Sequence, residues 1–262
     1  MNTKKLLLIA LLSFFISNCY SQSLNDSLLI YYPFNGNAND SSENHFNGIT
    51  NAKFTNDRFG NPNSALYFNG FDMYLDFPPN QPKLKPKLPV SFSFWVNMED
   101  YSPENNTFFT TDFAQNNHTG VWMCLSSFGE ISINYGDGSG NTSYFNRRTK
   151  VGKKSLFNTK WTHIVGIVKG PIDMEIYVNG VNIGGSYSGE GDELKYTDCQ
   201  GSIGRKDAGV LNKPYYFKGT IDEFRYWNRA LTEAEILALS NYHKNAINNQ
   251  VQSKNKVNFF FY

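Results

Sequence analysis

Gly219-Thr-Ile-Asp-Glu-Phe-Arg-Tyr-Trp-Asn-Arg-Ala-Leu231 mixes apolar and polar residues in strand fashion before running into a turn. Near the start of the chain, Tyr32-Pro-Phe-Asn-Gly-Asn-Ala-Asn-Asp-Ser-Ser42 follows the apolar run Leu28-Leu-Ile-Tyr-Tyr32. Each stretch reads as a strand with a carboxylate at a bend, Asp40 in the first and Asp222 in the second. A fold that pairs its first and last strands would bring the two acids together, which makes that pair the first place to look for a metal.

Between these ends, short apolar runs recur: Ala65-Leu-Tyr-Phe68, Val90-Ser-Phe-Ser-Phe-Trp-Val96, Val121-Trp-Met-Cys-Leu125, Ile131-Ser-Ile-Asn-Tyr135 and Trp161-Thr-His-Ile-Val-Gly-Ile-Val168. Gly, Asn and Pro clusters separate them, and no helical segment intervenes to make parallel crossovers. The expectation is an all-β chain of antiparallel sheets packed as a sandwich or jelly roll. Asn179-Gly180, between Tyr177-Val178 and Val181-Asn-Ile183, supplies the two positive-φ residues of a type I′ hairpin turn. One short C-terminal helix is expected over Thr232-Glu-Ala-Glu-Ile-Leu-Ala-Leu239, with Thr232 and Glu235 as a capping box and Leu231 as a staple.

The chain has 262 residues, 16% of them aromatic and only 18% charged, which suits one domain with an aromatic sandwich core. With Lys+Arg 24 against Asp+Glu 23 there is no global field for phosphate backbones, so nucleic acid is excluded as a partner. Residues 1–21 read as an export signal: Lys4 and Lys5, then Leu6 to Ile16, then a cleavage site before Gln22. That apolar run is too short for a stable membrane span, so the mature chain has no transmembrane segment. Cys19 has a second reading as a lipidated N-terminus that holds the domain on a membrane surface. The expected location is therefore secreted, periplasmic or cell-surface. Cys124 and Cys199 then remain as either a disulfide, worth about 4 kcal/mol by loop entropy, or two free thiols. Residues 242–262 form a polar tail ending in Phe259-Phe-Phe-Tyr262.

Four segments in order resemble the laminin G-like, concanavalin A-like jelly-roll family. They are Tyr32–Ser42, Ala65–Leu75, Trp161–Val165 with Ile176–Gly180, and Gly219–Thr232. The resemblance covers residues 27–241 and implies a two-sheet antiparallel jelly-roll sandwich with a structural calcium ion and recognition loops. It places Asp40, Asp222 and the backbone of Gly70 around that ion, with Asn37 as a further contributor. The alternative is that Asp40 caps its own turn and Asp222 accepts from backbone amides.

Glycosidases on a sandwich of this family carry carboxylates alternating on one strand. Here Asp222 and Glu223 are adjacent, which regular strand alternation would send to opposite faces. The four histidines show no ligand or nucleophile spacing, and His163 reads as a satisfied core residue. Recognition by stacking and polar contacts would draw on Trp122, Tyr144, Arg147, Arg148, Tyr187, Tyr215 and Tyr216; the competing reading makes most of these packing residues. The expected function is an exported, noncatalytic binding or adhesion module for a glycan or an extracellular protein. A polysaccharide hydrolase or lyase, and a purely structural assembly component, are the other two classes.

Overall fold

The computed structural model describes residues 24–99, 107–112, 118–126, 128–139, 144–155, 160–206 and 215–241. The expected export signal, Cys19 and the tail from residue 242 lie outside the described residues.

The strands, in chain order, are β1 (Leu28–Tyr32), β2 (Ile49–Thr50), β3 (Lys53–Thr55), β4 (Ala65–Asn69), β5 (Leu75–Asp76), β6 (Val90–Met98), β7 (Thr107–Thr110) and β8 (Val121–Leu125). They continue with β9 (Glu130–Gly136), β10 (Arg147–Ser155), β11 (Thr162–Gly170), β12 (Asp173–Val178), β13 (Val181–Asn182), β14 (Ser186–Ser188), β15 (Ser202–Ile203) and β16 (Lys218–Trp227). One sheet runs β13-β12-β11-β6-β16-β4-β3, with β1 also on β16; the other runs β14-β10-β9-β8-β7-β15-β5-β2. Every pairing is antiparallel, as the alternating patterns and short turns require. The result is the two-sheet jelly-roll sandwich expected from the sequence.

The inner faces meet in an aromatic core. Phe92 of β6 lies 4.5 Å from Tyr226 of β16 in its own sheet and 4.4 Å from Phe109 of β7 in the other. Phe224, Phe94 and Phe108 extend the same cluster, all fully buried. Offset and tilted rings fill the inter-sheet space while keeping favourable quadrupole contacts.

β16 organises its sheet. One edge pairs with β6; the other pairs first with β4, over Lys218–Ile221, and then with β1, over Phe224–Trp227. First and last strands therefore do pair. The change of partner falls at Asp222 and Glu223, where the register shifts and Glu223 adopts φ +55°. That bulge corrects the opposite-face expectation for these two acids. Asp222 stands opposite outward-facing Trp95, and Glu223 bonds Tyr31 and Arg225 on the same outer side. An extra residue in the left-handed region breaks the period of two, so both carboxylates project from one face.

The hairpin and helix form as read. Asn179 and Gly180 take φ +51° and +80° between β12 and β13. α1 (residues 233–241) starts at a reciprocal capping box: Glu235 N–H donates to Thr232 Oγ1 at 3.3 Å, and Thr232 N–H to Glu235 Oε2 at 2.8 Å. Its Ile236 and Leu239 join Val165, Ile167, Tyr177 and Trp227 in a second apolar cluster outside the first sheet. The Cys124–Cys199 bridge is not formed, and both thiols are free. Cys124 lies on β8, where its sulfur sits 3.2 Å from the Ser132 hydroxyl.

Candidate functional site

Three regions hold the residues expected to act. At the first, Asp40 closes the turn after β1. Its Oδ1 accepts from the backbone N–H groups of Tyr31 (2.8 Å) and Ser42 (2.9 Å), and its Oδ2 from the Ser42 hydroxyl (2.7 Å) and Phe46 N–H (2.8 Å). Ser41 N–H bonds Tyr31 O, so both backbone groups of Tyr31 face this turn rather than β16. β1 therefore stands between Asp40 and Asp222.

Asp222 has a different partner, Arg58, from the loop between β3 and β4, and both side chains are buried. The Arg58 guanidinium also lies 4.6 Å from each of the Phe59 and Trp95 rings. Burial and the neighbouring Glu223 push the Asp222 carboxyl up, to about 8, against the opposing pull of Arg58. Burial likewise lowers Arg58. Glu223 accepts from Tyr31 Oη at 2.9 Å and from Arg225 at 2.6 Å, while the Arg225 guanidinium stacks 3.8 Å from the Tyr31 ring. Asn37 is spent on its own loop, accepting from Asn39 N–H and donating to Asn35 O. Gly70 takes φ +77° in the turn after β4.

Calcium binds about six to eight oxygen acceptors. Here Asp40 is saturated by donors, Asp222 holds Arg58 through Oδ2 and leaves Oδ1 buried without a hydrogen-bond partner, β1 separates the two acids, and no group of three or more His, Cys, Asp and Glu converges among the described residues. This arrangement does not fit a calcium ion shared by Asp40 and Asp222. His163 is fully buried, with Nε2 2.8 Å from Ser93 Oγ, and burial holds its imidazole down to about 3. It is the neutral core histidine the strand pattern suggested.

The second region is the outer face of the second sheet. One rung crosses all eight strands as Ile49, Asp76, Ser202, Thr110, Trp122, Asn134, Thr149 and Ser188. Arg205 grips Asp76 through both carboxylate oxygens at 2.8 Å and lies 3.5 Å from the Tyr74 ring. Trp122 is only 4% exposed, with His118 stacked at 5.2 Å and the Lys206 ammonium 4.4 Å from its ring. It is a packing residue in this arrangement, not an open platform.

The third region is the free edge of that sheet. Tyr144 and Phe145, 49% and 63% exposed, stand nearly perpendicular at 5.7 Å on a 3₁₀ turn (Tyr144–Asn146) that leads into β10. The turn is clamped. Arg148 donates to Gly189 O at 2.6 Å and to Gly191 O at 3.0 Å, and Gly191 N–H to Arg147 O at 2.9 Å. A Cβ at Gly189 would strike the Arg147 carbonyl, so only glycine permits this approach. Half-buried Arg147 follows directly on β10. Tyr187 is tied instead to the backbone of Met174 through its hydroxyl, with the Lys150 ammonium 5.0 Å from its ring. Tyr215 is 38% exposed and pairs its backbone with Lys206, beside half-buried Tyr216. Phe145 is the residue that sequence reasoning missed. Its signal was the adjacent pair Tyr144-Phe145, which a strand would split between faces and a tight turn exposes together.

An antiparallel jelly roll hosts many unrelated functions, so the clamped edge with its exposed aromatics carries more information than the fold. The chain belongs to the concanavalin A-like lectin/glucanases superfamily, whose family description matches residues 68–237. Among solved structures, domain 4 of AbnA, a GH43 extracellular arabinanase from Geobacillus stearothermophilus in complex with arabinotriose, is similar. The TM-score is 0.61 at 21% identity, over 82% of this chain and 98% of that one. The binding domain of Paraclostridial Mosquitocidal Protein 1 gives 0.61 at 16% identity, over 84% of this chain and 53% of that one. The binding domain of botulinum neurotoxin DC in complex with rat synaptotagmin II gives 0.61 at 16%, over 83% and 52%. These likenesses show the fold. No curated protein sequence matches. Among the described residues, no helix is long and apolar enough to cross a membrane.

Proposed function

We propose that the protein is an exported, noncatalytic carbohydrate-binding module whose contact edge is Tyr144 and Phe145, with Arg147 behind them. The observation that carries this reading is the exposed aromatic pair on a turn fixed by Arg148 and by glycine contacts. Sugar rings present C–H faces that lie on aromatic rings, and a fixed platform loses little entropy when it is covered. Superfamily membership and the likeness to an arabinanase domain solved with arabinotriose support a saccharide ligand. A catalytic reading finds less support: Asp222 and Glu223 share a face, yet both are buried and held by Arg58, Arg225 and Tyr31.

Glycan-array screening followed by calorimetry tests the proposal. A glycan hit should weaken by about thirty-fold or more, roughly 2 kcal/mol, in the Tyr144→Ala/Phe145→Ala double variant, with an unchanged melting temperature. An undiminished affinity would sink the assignment of the edge. A silent array would promote a protein receptor instead, the kind of partner named for one botulinum binding domain.

A further inference from the structure

A cavity of about 280 Å³ opens where the first residues described meet the end of β16. It is lined by Asn25, Asn44 and Asn228, by Ser27, and by one residue of each charge, Glu43 and Lys83. None of the candidate residues drawn from the sequence lies in it.

The walls are preorganised. Asn44 Nδ2 donates to Leu28 O and Leu29 O, both at 3.0 Å, and its Oδ1 accepts from Lys83 Nζ. Asn228 N–H donates to Ser27 O at 2.9 Å, and Ser27 itself sits at φ +55°, an uncommon conformation for serine. On the other side, the four bonds to Asp40 fix the turn that carries Glu43 and Asn44. By contrast, the side chains of Asn25, Glu43 and Asn228 make no hydrogen bond to another described residue and are exposed. The cavity thus combines a fixed backbone rim with three lining side chains whose donors and acceptors are unused.

We propose that this cavity is a second ligand site, for one neutral sugar ring. Amides and hydroxyls both donate and accept, as sugar hydroxyls do, and Leu28 adds an apolar wall for a ring face. The lining carries one charge of each sign and no net charge, which disfavours an anion or a cation. The volume lies near the lower end of the roughly 300–1,000 Å³ typical of small-molecule pockets, which suits a single ring. The site is separate from the Tyr144–Phe145 edge and does not depend on it.

The test is an amide-detected NMR titration of the protein with arabinose, galactose and glucose, and with glutamine as a small zwitterion. At least one sugar should shift the Asn25, Asn44 and Asn228 side-chain signals saturably in the millimolar range. The Asn44 shift should vanish in Asn25→Ala/Asn228→Ala, whose melting temperature stays unchanged, and all three shifts should persist in Tyr144→Ala/Phe145→Ala. No shift at about 100 mM sugar, where a millimolar site is filled, overturns the proposal. So does a response to glutamine alone, or one that survives the double asparagine variant. Loss of array binding in the edge variant with these shifts intact would separate the two sites.

Discussion

Single side chains in the first sheet carry the pH dependence. His163 keeps its imidazole near 3 in the folded state, against about 6.5 when unfolded. Between those values the unfolded chain binds a proton that the native state refuses, so this residue makes stability rise with pH from about 3 to about 6.5. His163→Gln should therefore gain stability relative to the parent as pH falls from 6.5 to 4, by about 1.4 kcal/mol per unit. Parallel denaturant melts at several pH values read this; a constant difference would refute it. Asp222 has the opposite sign. Its raised carboxyl contributes stability that is present in acid and lost as pH climbs toward about 8. Arg58 also binds Asp222 in a buried pair, so Arg58→Met leaves the Asp222 carboxyl, neutral below about pH 8, without its donor and should cost about 1–3 kcal/mol. Added calcium or a chelator should leave the melting curve in place, because both oxygens of Asp40 are occupied by donors and β1 separates it from Asp222. A calcium-dependent upward shift would restore the metal reading.

At the level of elements, local chemistry was legible where it acts over a few residues. The Asn179-Gly180 turn and the Thr232–Glu235 capping box stand as their sequences imply, because both depend on neighbours within a turn. Thr232→Ala should cost about 1 kcal/mol, measured by chemical denaturation, with Glu235→Ala comparable. The β16 bulge was not legible. Nothing in Ile221-Asp-Glu-Phe-Arg225 announces a residue at positive φ. It arises because one edge of β16 must serve β4 and then β1, and the change of partner falls between Ile221 and Phe224. Replacing Glu223 by glycine relieves the conformation but removes the bonds to Tyr31 and Arg225. Glu223→Asn, which tolerates φ > 0, should be better accepted than Glu223→Val, whose β-branch opposes it. Relative melting temperatures of the two decide this.

For the whole molecule, the inter-sheet aromatic cluster joins the two sheets. Phe92 touches Tyr226 in its own sheet and Phe109 across the core, so Phe92→Ala should cost about 3–5 kcal/mol, while reducing agent should leave the melt unchanged. A shift on reduction would show a Cys124–Cys199 bridge. Alternation and turn residues, read from the sequence alone, determined an antiparallel two-sheet sandwich, the hairpin and the helix, because those patterns report which face each residue buries. Only the tertiary structure decided that Asp40 and Asp222 belong to separate networks, that Trp122 lies beneath Lys206 and His118, and that Tyr144 and Phe145 emerge together. Each of those facts depends on contacts between residues far apart in sequence. Arg58 meets Asp222, Arg148 meets Gly189, and β1 lies between two acids that sequence order alone had placed side by side.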